Sequence, residues 1–302
     1  METRDKIRVA VIGASGYSGE EMVGLLLGHP AAELCAVTSR QYAGQAVAAV
    51  FPRFSGRTEL AFEDPDPASI AERVDAAFLA LPHGVAAEQA RVFLARGRRV
   101  FDLSADFRLR STAVYKRYYG AEHPAPDLLA QAVYGLVERY RPQLRGAQLV
   151  ACPGCYPTSA ILAAAPALAA GLVEPAPVVV NSLSGVSGAG RKVALEYIFP
   201  ECHDSLRAYG VPSHRHLPEI EQELACAAGP GAEVQASFTP HLVPVNRGIV
   251  TSIVMRLRIS GSDAAAIVEA EVGRIAAAEH LDHLLDRPAV LTSVTRPVGD
   301  HE

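Results

Sequence analysis

The sequence predicts an α/β fold in two parts: a parallel-sheet domain over residues 1–150, then an α+β domain with a mostly antiparallel sheet over residues 151–302. Three observations predict it. The first half alternates short β-rich runs with helical patterns. A glycine-rich turn joins its first strand to its first helix, and the alternation stops after Leu149-Val150-Ala151. Strand–helix–strand repetition buries strands on both faces, which yields a parallel sheet covered by helices.

In order, residues 7–12 form an apolar run broken only by Arg8, and residues 20–27 read as a helix. Residues 33–38 are a second strand, and 76–81 and 100–103 two more, with a helix over 85–95 between them. In the second half a helix is expected over 158–170, an apolar run at 178–180, a Gly/Ser loop, and strands at 234–238 and 249–257. A helix over 217–224 lines up Leu217, Ile220 and Leu224 on one face, and another carries Val268, Val272 and Ile275 at i, i+4 and i+7.

Composition excludes several classes of function. Apolar residues make up 49% and charged residues 20%, with a net charge of −5. No basic run suits a nucleic acid or an anionic membrane. No apolar stretch reaches membrane-span length, and the N-terminal residues lack a signal-peptide pattern. The odd cysteine count suits reduced thiols and a cytoplasmic location.

Val9 to Gly19 is strand, turn and helix, with glycines at 13, 16 and 19. Gly13 permits the tight turn, Gly16 lets backbone approach a pyrophosphate, and Gly19 allows close helix–strand packing. Ser15, Tyr17 and Ser18 share that turn. An enzyme using NAD carries an acid at the end of the second strand. Here that end reads Thr38-Ser39-Arg40, so Ser39 and Arg40 point to the 2′-phosphate of NADP. The competing reading of Arg40 alone is a solvated surface cation.

Cys155 lies in Cys152-Pro153-Gly154-Cys155-Tyr156-Pro157-Thr158, at the predicted domain boundary and the start of a helix. A helix N-terminus favours thiolate, the nucleophilic form. Inert burial is the commoner fate of a cysteine and suits Cys35 and Cys226. A metal or redox pair of Cys152 with Cys155 lacks a second pair and a redox context. Before the 217–224 helix stands Ser213-His214-Arg215-His216, where His214 is expected neutral and ready to accept a proton. The two histidines are two apart, so one alone is expected to face the site, and His216 reads as structural. The histidine spacing supports no metal. Asn181 to Arg191 is a Gly/Ser loop suited to an anion or nicotinamide pocket, through Ser184, Gly185 and Ser187. Arg108, in Asp102-Leu103-Ser104-Ala105-Asp106-Phe107-Arg108, falls at the C-terminal edge of the parallel sheet and suits a phosphate.

Together with Leu81-Pro82-His83-Gly84, these motifs in this order resemble the N-acetyl-gamma-glutamyl-phosphate reductases from about Ile7 to beyond Ile253. The resemblance implies a Rossmann-type NADP domain and a glyceraldehyde-3-phosphate dehydrogenase-like catalytic domain. It implies NADPH-dependent reduction of a small acyl phosphate through a thioester on Cys155, with His214 as acid/base. It places Arg108, Ser187, Tyr209 and Glu219 at the substrate and Pro82 at the cofactor. A homodimer or homotetramer is implied too. The Pro-Gly-Cys-Tyr-Pro form favours the arginine-pathway substrate over a carrier-linked aminoadipate phosphate. Two features depart from the family. Cys152 stands where Asn is usual, and the family continues for a further segment past the position of Val298, whereas this chain stops at Glu302. A non-catalytic NADP-binding protein and a Cys152–Cys155 thiol switch are therefore the alternatives.

Overall fold

The computed structural model describes residues 6–258. The chain divides into two compact units between Pro153 and Gly154. The expected helix through Val268, Val272 and Ile275, and the segment around Val298, lie outside the described residues.

The first unit runs β1 (Ile7–Ile12), α1 (Tyr17–Leu27), β2 (Ala32–Thr38), α2 (Val47–Val50), β3 (Phe62–Glu63), α3 (Pro67–Arg73), β4 (Ala76–Leu79), α4 (Ala86–Ala95), β5 (Arg99–Asp102), α5 (Thr112–Tyr119), β6 (Ala132–Tyr134), α6 (Val137–Leu144) and β7 (Leu149–Ala151). Its seven strands pair in the order β3-β2-β1-β4-β5-β7-β6, every pair parallel. The order reverses between β1 and β4, the point where open α/β sheets bind ligands at their carboxyl ends. Both faces are covered, which is why β1 reads as nearly continuous apolar sequence. Ala10 and Ile12 join one core with Ile70, Leu79 and Phe93. Val9 and Val11 join the other with Val23, Phe54 and Phe62. Local signals set the helix starts. Asp66 caps α3 by accepting the N–H groups of Ala68 and Ser69, and Ser111 caps α5 through Val114.

The short elements β3, β6, α2, α3, α5 and α6 have no counterpart in the sequence expectation. They are too brief for a periodic signal, and β3 is two residues long.

The second unit runs α7 (Cys155–Ala169), β8 (Val173–Ser184), α8 (Phe199–Cys202), β9 (Arg207–Ala208), α9 (Leu217–Ala228), β10 (Ala236–Leu242) and β11 (Ile249–Leu257). Its sheet has the order β11-β8-β10-β9. The outer pairs are antiparallel, but β8 and β10 at the centre run parallel, so the sheet is mixed. The reason is the connection: the chain leaves β8 and returns through α9, a crossover and not a hairpin. Two of its three pairs are thus antiparallel, as expected; a correction concerns Asn181 to Ser184, expected in a loop. These residues continue β8, where Ser182 pairs with Thr251 and their hydroxyls share a 2.8 Å hydrogen bond. Buried hydroxyls that satisfy each other cost the strand little. Ile220, Leu224 and Ala227 of α9 are buried, as are Ala160, Ile161, Ala164 and Leu168 of α7, and the two helices pack together. No helix among the described residues is long and apolar enough to cross a membrane.

Candidate active site

The chemistry-bearing residues fall into two sets, one in each unit. In the first unit, Gly13 has φ +84°, and a Cβ there would lie 2.5 Å from the Ala80 carbonyl oxygen, so only glycine fits the turn. Thr38 holds this turn from β2: its Oγ1 accepts the Gly13 N–H (3.0 Å) and its carbonyl accepts the Ala14 N–H (2.9 Å). A Cβ on Gly19 would meet the Gly13 oxygen at 2.5 Å, so α1 packs directly against the turn. Gly16 is the N-cap of α1, and no side chain caps that end. Tyr17 and Ser18 are exposed beside it. The start of an eleven-residue helix without a side-chain cap suits a pyrophosphate.

At the end of β2, Ser39 is buried and donates its hydroxyl to Ser15 (2.9 Å), which makes it a brace for the turn. Arg40 is exposed, and the residues directly after β2 include no Asp or Glu. Pro82 is exposed after β4, and its carbonyl accepts the Val85 N–H. These residues fit an NADP-type dinucleotide.

Arg108, expected at the substrate phosphate, is 9% exposed. Its Nε donates to the Cys152 carbonyl (2.8 Å) and an Nη to the Leu103 carbonyl (2.7 Å). In the described structure it ties the chain just past β5 to the chain just past β7. Beside it, Asp102 is fully buried, and that burial raises its carboxyl to about 6 despite hydrogen bonds from Ser104. Burial likewise pushes the Cys152 thiol up to about 12, with the Asp102 charge adding to the effect. A thiol held protonated is a poor nucleophile and a poor partner in disulfide exchange.

In the second unit, Cys155 is the first residue of the fifteen-residue helix α7, and it is exposed. The helix therefore starts three residues earlier than expected, with Gly154 as its N-cap. Gly154 is pinned from both sides. Its N–H donates to Glu219 Oε1 (2.9 Å), and its carbonyl accepts the Thr158 hydroxyl (2.8 Å) and N–H (2.9 Å). Glu219, in the first turn of α9, is 1% exposed. A buried carboxylate from one helix thus fixes the start of another.

His214 sits among aromatic rings. Tyr156 and Tyr209 lie 5.6 Å from it, Phe238 5.2 Å and His216 5.0 Å, between centroids. Gly210 closes the cage, since a Cβ there would touch His214 Cδ2 at 3.0 Å. Burial, with a smaller contribution from the Arg215 charge, lowers the His214 pKa to about 4. The ring is therefore neutral at pH 7. Its Nδ1 accepts the His216 N–H (3.1 Å), so the neutral ring carries its hydrogen on Nε2 and presents a donor. That differs from the expected proton acceptor: the backbone of His216 occupies one lone pair, which sequence spacing does not show. His216 packs against the same cluster, 5.9 Å from the Tyr156 ring, a contact that suits a structural residue.

The Tyr156 and Tyr209 hydroxyls share a 2.7 Å hydrogen bond. Burial raises the pKa of both. Ser184 is buried and hydrogen-bonds the Tyr156 phenol. Gly185 packs on Asn246, where a Cβ would meet the carbonyl oxygen at 2.8 Å, and the Ser187 N–H donates to that same oxygen. Among the described residues no group of three or more His, Cys, Asp or Glu is placed to hold a metal.

Residues 8–147 match the family model described as semialdehyde dehydrogenase, NAD binding domain. Residues 155–285 match semialdehyde dehydrogenase, dimerisation domain. The N-acetyl-gamma-glutamyl-phosphate reductase of Akkermansia muciniphila is 51% identical over 296 residues, covering 96% of this chain and 84% of that protein. The enzyme of that name from Moorella thermoacetica is 48% identical, covering 82% and 71%.

The chain belongs to the N-acetyl-gamma-glutamyl-phosphate reductase family.

Solved aspartate-semialdehyde dehydrogenases share the fold. The Vibrio cholerae enzyme II complexed with ASA gives a TM-score of 0.66 at 16% identity over 90% of this chain and 80% of its own. The Candida albicans enzyme with NADP gives 0.64 at 17% over 88% and 76%. In this family member the sequence reading missed Tyr156, Phe238 and Thr38, which hold the predicted residues in place. Their signal was faint, because an aromatic or a threonine at a strand end is ordinary core composition. The Asp102-x-Ser104-x-Asp106 pattern was visible but had no assigned role.

Proposed function

We propose that this chain reduces N-acetyl-glutamyl 5-phosphate to N-acetyl-glutamate 5-semialdehyde with NADPH, through a thioester on Cys155. The observation that carries the reading is an exposed cysteine at the first position of a long helix, with its N-cap pinned by a buried glutamate. Helix N-terminal N–H groups stabilise both the thiolate and the oxyanion formed on attack; a donor of the latter kind contributes about 3 kcal/mol.

The Cys155 sulfur bonds to the acyl carbon, and the carbon–oxygen bond to phosphate breaks. Phosphate leaves with that electron pair. When bound, the reduced dinucleotide supplies the hydride that takes the thioester to the aldehyde level. Its adenosine 2′-phosphate would lie at Arg40, with Ser39 beneath it as the brace of the turn, and its pyrophosphate at Ser15 to Ser18. Neutral His214 offers its Nε2 hydrogen to negative charge that builds on oxygen. Release of the aldehyde returns Cys155 as thiolate. Arg108, Ser187, Tyr209 and Glu219 belong to this reading as substrate-side residues, Arg108 and Glu219 acting through the backbone they hold. The second unit, matched to a dimerisation domain, is assigned the homo-oligomer contact. Free thiols suit a reducing cytoplasm.

The test is the reverse reaction: phosphate-dependent reduction of NADP⁺ by N-acetyl-glutamate 5-semialdehyde, with NAD⁺ alongside. Turnover with NADP⁺ that Cys155→Ser abolishes supports the reading. Turnover that survives in Cys155→Ser sinks the nucleophile. No turnover in a folded wild type favours a non-catalytic NADP-binding protein, and activity confined to a carrier-linked aminoadipate semialdehyde moves the substrate.

A further inference from the structure

The geometry points to Asp106 as a positioning residue for the cofactor: it clasps the loop after β4 into the shape that holds the nicotinamide half of the dinucleotide. This rests on the NADPH reading above.

Asp106 is fully buried in the first unit. Its Oδ1 accepts the Gly84 N–H (2.7 Å) and the Tyr115 hydroxyl (2.9 Å), and its Oδ2 accepts the Ala87 N–H (3.0 Å). One carboxylate thus holds the last residue of the Leu81-Pro82-His83-Gly84 loop and the first turn of α4 together. Asp106 is itself fixed by its backbone. The Ser104 hydroxyl accepts its N–H (3.1 Å) and donates to Asp102 Oδ2 (2.8 Å). His123 Nδ1 accepts the Ala125 N–H (3.0 Å), so the ring hydrogen is on Nε2, which donates to the Asp106 carbonyl. Tyr115 stacks on Tyr119 at 4.7 Å, and Tyr119 lies 5.4 Å from the ring of His83. The loop is therefore held at Gly84 by the clasp and at His83 by α5.

The loop adjoins the glycine-rich turn, since a Cβ on Gly13 would meet Ala80 O at 2.5 Å and Leu81 Cδ2 at 2.9 Å. Strand order sets which half of the ligand it serves. β4 neighbours β1 on the side opposite β2, so this loop and Ser39–Arg40 flank the turn from opposite sides. A dinucleotide laid across the switch point with its 2′-phosphate at the β2 end brings its nicotinamide half towards the β4 end. A carboxylate with three donors and no exposure is far more confining than a capping serine, and its loss frees the loop.

The experiment titrates NADPH, by its fluorescence, and 2′,5′-ADP, which lacks the nicotinamide half, against wild type and Asp106→Ala below their unfolding transitions. Asp106→Ala is expected to weaken NADPH by about tenfold while 2′,5′-ADP stays within about twofold. In turnover the KM for NADPH rises with kcat at saturation retained, and the alkylation rate of Cys155 is unchanged. Asp106→Asn keeps one oxygen for Gly84 and Tyr115 but opposes an N–H to that of Ala87. It is expected to recover part of the affinity, and it answers the question should the alanine variant fail to fold. Equal NADPH affinity in the folded variants overturns the assignment, as does a parallel loss of NADPH and 2′,5′-ADP, which marks a merely structural role. A wild type that does not bind NADPH overturns both this assignment and the reading it rests on.

Discussion

Each unit uses a buried carboxylate to hold the N–H of a glycine that precedes a helix. In the first unit Asp106 takes Gly84 before α4; in the second Glu219 takes Gly154 before α7. The two devices differ in reach. Asp106 lies 22 residues from its glycine and also gathers Ala87 and Tyr115. Glu219 acts across 65 residues, from one helix to the N-terminus of another. The near clasp shapes a loop, whereas the far one sets the register between two packed helices, one of which begins at Cys155. A functional residue is thus only as well placed as the buried polar group behind it.

The comparison is broken most sharply by Glu219→Ala. Removing an acceptor beneath a buried N–H costs about 1–3 kcal/mol. With Cys155 next to that N–H, kcat is expected to fall by about a hundredfold and NADPH affinity to stay as in wild type. Steady-state kinetics beside NADPH titration check this, and an equal effect on both would erase the distinction between the units.

Acid titration is the next largest test, because the two units respond in opposite directions. His214 has its folded pKa lowered from 6.5 to about 4, so the unfolded chain binds the proton first and stability is lost as pH falls from 6.5 towards 4. Asp102 is raised from 3.8 to about 6, so the folded chain binds the proton first and stability rises as pH falls through the same range. Hydrogen exchange read by peptide should show α9 losing protection between pH 6.5 and 4 while β5 does not. Loss in β5 first would contradict the assignment.

A smaller effect is expected of Tyr209→Phe, which removes one hydroxyl from the Tyr156 pair and costs about 1 kcal/mol. Turnover should fall several-fold with the alkylation rate of Cys155 little changed. A drop as deep as that of Glu219→Ala would move Tyr209 from the wall of the His214 cage to the reaction itself. The smallest effect concerns the other thiol. Alkylation at pH 8 should label Cys155 and leave Cys152 nearly untouched over the same time, since burial beside Asp102 keeps Cys152 protonated. Comparable labelling would revive the thiol-switch reading.

Much of this protein was legible from its residues alone. Alternating apolar runs specify the parallel sheet, because strands buried on both faces must be apolar throughout. Gly13 and Gly19 announce the dinucleotide turn, since each fills a space that excludes a Cβ. The Pro-Gly-Cys-Tyr-Pro and His-Arg-His motifs mark where the proposed chemistry is sought. What only the tertiary structure decided are the relations between distant residues. It turned the centre of the second sheet parallel by routing the chain through α9, carried Asn181 to Ser184 into a strand, and committed Arg108 to backbone carbonyls. It also made His214 a neutral donor, by surrounding it with Tyr156, Tyr209 and Phe238 and occupying its Nδ1. Periodicity and propensity act over a few residues, and hence survive in the linear sequence. Desolvation and hydrogen-bond partnership depend on what the folded chain brings alongside, and no local pattern encodes that.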